Sequence, residues 1–237
     1  MNTMTETFTE EQVRFTSGPN ILEGILAYPD VGTAEEAVLL LSPHPHLGGR
    51  MDNNVIAFLT QGLAAAGRVT LRFNYGGVGN STLALAEGDS TYEYWARLEA
   101  GQNYRAARPD ALAALAFLRA SMPDARVGYV GYSFGACLAI LLAGVQPPDW
   151  LVAISPPVSR APLEGVESLA MPSLFIAGDR DFAFDREPFD GIFTRVPGQK
   201  AFVELTDSDH FFRRDEARVF DVIQRWCSRL NEKERDS

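Results

Sequence analysis

Cysteine and histidine are scarce in this chain, positive charge is in the minority, and no long apolar run occurs. The only two cysteines, Cys137 and Cys227, give no disulfide framework. Both sit in apolar, helix-like surroundings, where a buried free thiol in a reducing cytoplasm is the ordinary arrangement. Lysine and arginine number 21 against 31 aspartates and glutamates, a net charge of −10. That balance suits a soluble protein and disfavours nucleic acid or an anionic membrane as partner. No apolar stretch approaches the roughly 20 residues of a bilayer span. The opening "MNTMTETFTEEQVRF" has neither a basic nor an apolar region of the kind a signal peptide needs, so none is expected.

What the chain does have is alternation. Its 237 residues, 46% hydrophobic, suffice for one substantial core, and residues 1–237 read as a single domain. "VRFTS" and "NILEGILAYP" read as a leading pair of strands. They are followed by "EAVLLLSP", "RVTLRFN", "ARVGYVGYS", "WLVAISPP", "SLFIAGD" and "KAFVELT". The later runs are almost continuously apolar, as strands covered on both faces must be.

Helical spacing lies between them in "MDNNVIAFLTQGLAAAG", "RPDALAALAFLRAS" and "FGACLAILLAG". In the first, Val55, Phe58, Leu59 and Leu63 share a face. A last amphipathic helix carries Val219, Val222, Ile223, Trp226, Cys227 and Leu230. This order predicts an α/β fold with a mainly parallel central sheet between helices. In such sheets, sites form at the carboxyl ends of strands. Asn80 to Gln102 reads as a polar-aromatic excursion that shapes a pocket wall. The short Pro156–Pro172 connection leaves room for a minimal lid only.

One pentapeptide stands where a strand ends and a helix begins: Gly131-Tyr132-Ser133-Phe134-Gly135. Glycines two residues to either side of a serine permit the crowded turn of a nucleophile elbow, and the helix start behind it favours negative charge. A serine hydroxyl needs a base to become nucleophilic. Of the three histidines, His44, His46 and His210, only His210 follows the serine, in "DSDHFF" after a strand. The acid belongs between them at another strand end, where "GDRD" offers Asp179 and Asp181. Asp181 is favoured as the residue orienting the imidazole, with Asp179 as a turn residue.

These stretches resemble the α/β-hydrolase superfamily, and most closely its small, lid-poor, dienelactone-hydrolase-like bacterial group. The stretches concerned are "SPHPHLGG", "RFNYGGVGNS", "GYSFG", "GDRD" and "SDHFF", and the resemblance runs from about Glu36 to the final helix. It departs at two places. Ser42 stands where that group has a histidine, and Gly76 where it has an arginine.

An acyl-transfer site also needs N–H donors for the oxyanion. The Phe134 N–H, next to the nucleophile, is one by geometry. In the loop after the third strand, Pro43 and Pro45 have no N–H to give. The His44 N–H is therefore the second donor, a position to which the resemblance also points, while its imidazole braces the loop. The rival use of His44 and His46, a metal pair completed by His210 and an aspartate in a hydrolytic zinc site, lacks a third ligand nearby in sequence. The glycines of "RFNYGGVGNST" lack a phosphate-loop lysine, and Tyr92, Tyr94 and Trp95 read as packing residues.

The expectation is a serine hydrolase acting on a carboxylic ester or thioester of a small acyl compound through Ser133, His210 and Asp181. No cofactor and no metal are implied, and the partner is the small-molecule substrate. Transfer to another acceptor, cleavage of an amide, or a binding module without catalysis are the alternative uses of the same fold.

Overall fold

The computed structural model describes residues 7–159 and 163–235, with side chains described up to Glu232. Residues 1–6 of the N-terminal stretch and residues 160–162 of the Pro156–Pro172 connection lie outside the described residues. Among the described residues, eight strands form one sheet in the order β1-β2-β4-β3-β5-β6-β7-β8. The strands are β1 (Phe8–Ser17), β2 (Asn20–Pro29), β3 (Glu36–Leu41), β4 (Val69–Phe73), β5 (Arg126–Tyr132), β6 (Trp150–Ile154), β7 (Ser173–Arg180) and β8 (Lys200–Asp209). β1 and β2 pair antiparallel, as do β2 and β4. Every later pairing is parallel. β1 is longer than its apolar signal, because its first half is an exposed edge paired on one side only.

Among the described residues, six α-helices flank the sheet: α1 (Asn54–Ala65), α2 (Thr91–Ala100), α3 (Arg108–Ser121), α4 (Phe134–Ala143), α5 (Arg186–Arg195) and α6 (Glu216–Arg235). Strand side chains alternate between faces, and this divides the core in two. Ala37, Leu39 and Leu41 of β3 join Ala111, Leu118, Leu138 and Leu142 on the face covered by α3 and α4. Val38 and Leu40 join Leu59, Leu63, Val219 and Ile223 on the face covered by α1 and α6. The stripe read for α6 is buried at all six positions. Phe58 is the exception in α1, at 40% exposure, with its ring edge-on to Phe220.

Two helices were not foreseen. α2 lies inside the polar-aromatic excursion and buries only Trp95. It starts at a capping box in which Ser90 Oγ accepts from the Glu93 N–H and the Glu93 carboxylate accepts from the Ser90 N–H. α5 buries Phe189 and Ile192 and starts at Asp185, whose carboxylate accepts from the Glu187 N–H. Between β6 and β7 the described residues carry one short 3-10 turn, Val166–Ser168.

Candidate active site

The residues singled out in sequence come from four strand exits. His44 follows β3, Ser133 follows β5, Asp181 follows β7 and His210 follows β8. All four exits lie at the carboxyl edge of the parallel strands.

Ser133 sits at the N-terminus of α4 with φ 55° and ψ −118°. An L-residue there is strained, at a cost on the order of 1–3 kcal/mol. The surroundings fix it. The Ser133 N–H donates to the Ile154 carbonyl at 2.8 Å, and its carbonyl accepts from the Ala136 N–H at 2.9 Å. No side chain fits at either flank. A Cβ on Gly131 would overlap the Gly135 carbonyl, and one on Gly135 would overlap the carbonyl of Leu41. The strand-to-helix turn therefore presses against the end of β3, and only glycine permits it.

Ser133 Oγ lies 3.1 Å from His210 Nε2, and His210 Nδ1 lies 2.7 Å from Asp181 Oδ1. The Asp181 side chain is fully buried, and Oδ1 also accepts from the Ala183 N–H at 2.8 Å. Its Oδ1 therefore serves the imidazole and one backbone N–H, while Oδ2 is buried without a partner among the described residues. The His210 backbone is held in turn by the Tyr132 hydroxyl, which donates to its carbonyl at 2.5 Å. Burial, with Asp181 nearby, pushes that phenol well above its ordinary pKa, so it remains a donor. Asp179 does not reach the imidazole. It belongs to the end of β7 rather than to a turn, and its carboxylate accepts from the Ser208 N–H at 3.3 Å, where the β7–β8 register shifts.

The loop after β3 brings His44 alongside. Its backbone accepts from Leu47 and Gly49 at 3.0 Å each, while its Nδ1 accepts from the His46 N–H at 3.2 Å. Among the described residues, neither the His44 nor the Phe134 N–H donates to a protein group. The His44 ring is 2% exposed and packs edge-on against Phe134 and Trp95. Burial, with His46 as a further repulsive neighbour, lowers its pKa to about 4. Glu99 Oε2, 3.6 Å from Nε2, pulls the other way. With Nδ1 already accepting a hydrogen bond, the neutral form carries its proton on Nε2, which is buried without a hydrogen-bond partner among the described residues.

Asn74 joins the same loops, its amide oxygen accepting from the Met51 N–H and its NH2 donating to Glu23. The two departures from the family pattern have different surroundings. Gly76 donates its N–H to Asp110, and the Asp110 carboxylate is otherwise met by the Ser17 hydroxyl. Ser42 is buried with an unpartnered Oγ, and its carbonyl accepts from Tyr75.

The cleft above Ser133 is narrow. It is lined by His44, Glu99, Tyr104, Phe134, Phe182 and His210, among others. Glu99 falls in the Asn80–Gln102 segment read as a pocket wall, whereas Tyr104 and Phe182 had no signal as site residues in the sequence. Trp95 and Glu99 are four apart, so a reader who recognised α2 would have placed them on one face. Among the described residues, no three His, Cys, Asp or Glu side chains converge as metal ligands would. His46 instead packs at a tilt against Tyr92, with ring centres 4.8 Å apart.

Residues 83–229 match the model of the dienelactone hydrolase family. The chain belongs to that family. The matched span contains Ser133, Asp181 and His210 but not the His44 loop. An uncharacterized protein of Rickettsia prowazekii is 29% identical over 212 residues, covering 85% of this chain and 82% of its own. A lid-less α/β serine hydrolase from Xanthomonas campestris has the same fold, with a TM-score of 0.78, 24% identity, and coverage of 93% of this chain and 94% of its own. A dienelactone hydrolase from Anabaena variabilis follows with a TM-score of 0.70 and 18% identity, covering 92% and 96% of the two chains. These structures establish the α/β-hydrolase architecture for this family member, β1–β4 included. Among its described residues, no helix is long and apolar enough to cross a membrane.

Proposed function

We propose that this protein is a serine hydrolase of short carboxylic esters or thioesters, working through an acyl-enzyme on Ser133. The observation that carries the reading is the unbroken chain of contacts from Ser133 Oγ through the His210 ring to buried Asp181, at 3.1 and 2.7 Å. Ser133 Oγ attacks the substrate carbonyl carbon while its proton passes to His210 Nε2. Asp181 accepts from Nδ1–H and stabilises the imidazolium. The N–H groups of Phe134 and His44 face the oxyanion, each contributing on the order of 3 kcal/mol to the barrier reduction. As the bond from carbon to the leaving group breaks, His210 returns its proton to the departing oxygen or sulfur. Water then repeats the sequence in reverse, and the acid is released.

The strain at Ser133 serves this reading, since it projects Oγ out of the turn with helix α4 behind it. Phe182 and Phe211 flank His210, at ring distances of 4.9 and 5.8 Å. They offer an apolar seat to the leaving alcohol or thiol. Two buried free thiols suit a reducing cytoplasm.

Intact mass after exposure to a fluorophosphonate tests the reading. A single adduct is expected on the native protein and none on Ser133→Ala, whose ester turnover falls to background. A folded native protein that takes no adduct and hydrolyses no ester or thioester would overturn it.

A further inference from the structure

Behind the cleft lies a separate cavity of about 280 Å³, lined by Gln102, Asn103, Arg105, Cys137, Leu141 and Glu164, together with Gly101 and Tyr104. It exists because α2 stops at Gly101 and the chain turns through Gln102, at φ +49°, into the short 3-10 helix Tyr104–Ala107. That turn stands off from α4 and leaves a hollow over Cys137 and Leu141. Both side chains belong to the helix that begins immediately after Ser133. The floor is chemically quiet: burial raises the Cys137 thiol far above its ordinary pKa. Arg105 is held by Glu164 at 2.7 Å across the outer side.

Tyr104 is the residue common to this cavity and to the cleft above Ser133. Its ring is 8% exposed and packs edge-on against Phe134, 5.1 Å between centres. The mechanism decides which part of a substrate meets it. The leaving group must stand beside His210 Nε2 to receive the proton, on the side of Phe182 and Phe211. The acyl chain, bonded to the same carbonyl carbon, points away from the imidazole, towards the wall made by Glu99 and Tyr104.

We infer that Tyr104 is the specificity-determining wall of the acyl subsite: it restricts the enzyme to short acyl groups and closes off a preformed cavity that would accept longer ones. The inference rests on the serine-hydrolase reading. The phenol blocks the passage between Ser133 and the hollow over Cys137 and Leu141. Removing it joins the two spaces without requiring any backbone change. The joined space is apolar at Cys137 and Leu141 of α4 and polar at Gln102, Asn103, Arg105 and Glu164, so it suits a linear acyl chain whose stem lies along α4.

The test is the kcat/KM series for p-nitrophenyl acetate, butyrate, hexanoate and octanoate. Fluorophosphonate labelling of the same samples reports whether the serine is intact. In Tyr104→Ala the hexanoate-to-acetate ratio should rise at least about tenfold over the native ratio, since each methylene seated in an apolar pocket contributes on that order or more. Tyr104→Phe should keep the native ratio. Adding Leu141→Trp to Tyr104→Ala, which refills the cavity, should return the ratio towards the native value. Tyr104→Trp should lower the butyrate-to-acetate ratio, and this arm decides the matter if Tyr104→Ala fails to fold. Labelled variants with an unchanged chain-length profile would overturn the inference while leaving the hydrolase reading standing. A native protein that neither labels nor turns over would instead defeat that reading.

Discussion

His44 contributes to stability as well as to the site, and its effect has a definite direction with pH. Its ring is buried and its pKa is lowered from 6.5 to about 4, so the folded protein holds this imidazole neutral. An unfolded chain binds a proton there below pH 6.5, and the folded one does not until about pH 4. Stability from this group is therefore complete above pH 6.5 and is lost as the pH falls through that interval. The loss amounts to up to about 3 kcal/mol, with Glu99 at 3.6 Å reducing it. His44→Asn retains the backbone N–H and an acceptor near the Nδ1 position, and it cannot titrate. Urea unfolding at pH 7 and pH 4.5 should show a larger fall for the native protein than for the variant, by about 1–3 kcal/mol. Equal falls would mean that the buried ring is protonated in the fold as readily as outside it.

At the scale of elements, the glycines that shape the elbow and the glycine inside α5 should respond oppositely to a methyl group. A Cβ on Gly135 has nowhere to go, since β3 lies against that turn. Gly135→Ala should cost more than about 4 kcal/mol, or give insoluble protein, together with loss of fluorophosphonate labelling. Gly191 meets no atom within 4 Å. Gly191→Ala should raise stability by about 0.4–1 kcal/mol in the same unfolding experiment, by limiting the unfolded chain. The pair shows why some elements were legible and others were not. β3 to β8, α1, α3, α4 and α6 bury continuous or periodic apolar faces, and that pattern is written in local sequence. α5 contains Pro188 and Gly191, and α2 buries one side chain, so neither carries a strong stripe. Only the Ser90–Glu93 capping box marked α2 locally. The residues from Ser133 to Asp181 and His210 could be ordered from sequence because the elbow has fixed spacing and the chain has few histidines. Tyr104 and Phe182 enter the cleft through tertiary proximity, which no local spacing encodes.

The whole molecule separates its stability from its chemistry along the strand direction. The elbow, the His44 loop, Asp181 and His210 crowd the carboxyl edge of the sheet. The α1 and α6 layer reaches down to the opposite edge, where Trp226 of α6 meets Trp150, the first residue of β6, edge-on at 6.2 Å. Trp226 is buried among Val222, Ile223 and Leu230, on the sheet face opposite α4. Trp226→Ala should therefore cost about 3–5 kcal/mol, a large share of the 5–15 kcal/mol typical of a folded domain. At a temperature where the variant is still folded, its kcat for a short ester should match the native value, because nothing at the carboxyl edge leans on Trp226. Tyr132 and Phe212 belong to the same layer but sit at the other end of it, with Tyr132 against His210 and Phe212 edge-on to Tyr132. Were the Trp226 variant to lose kcat while folded, strain would be passing along this layer to the imidazole through those two rings. A loss of stability with unchanged kcat would locate the site's rigidity in the four strand exits and the glycine-pressed turn.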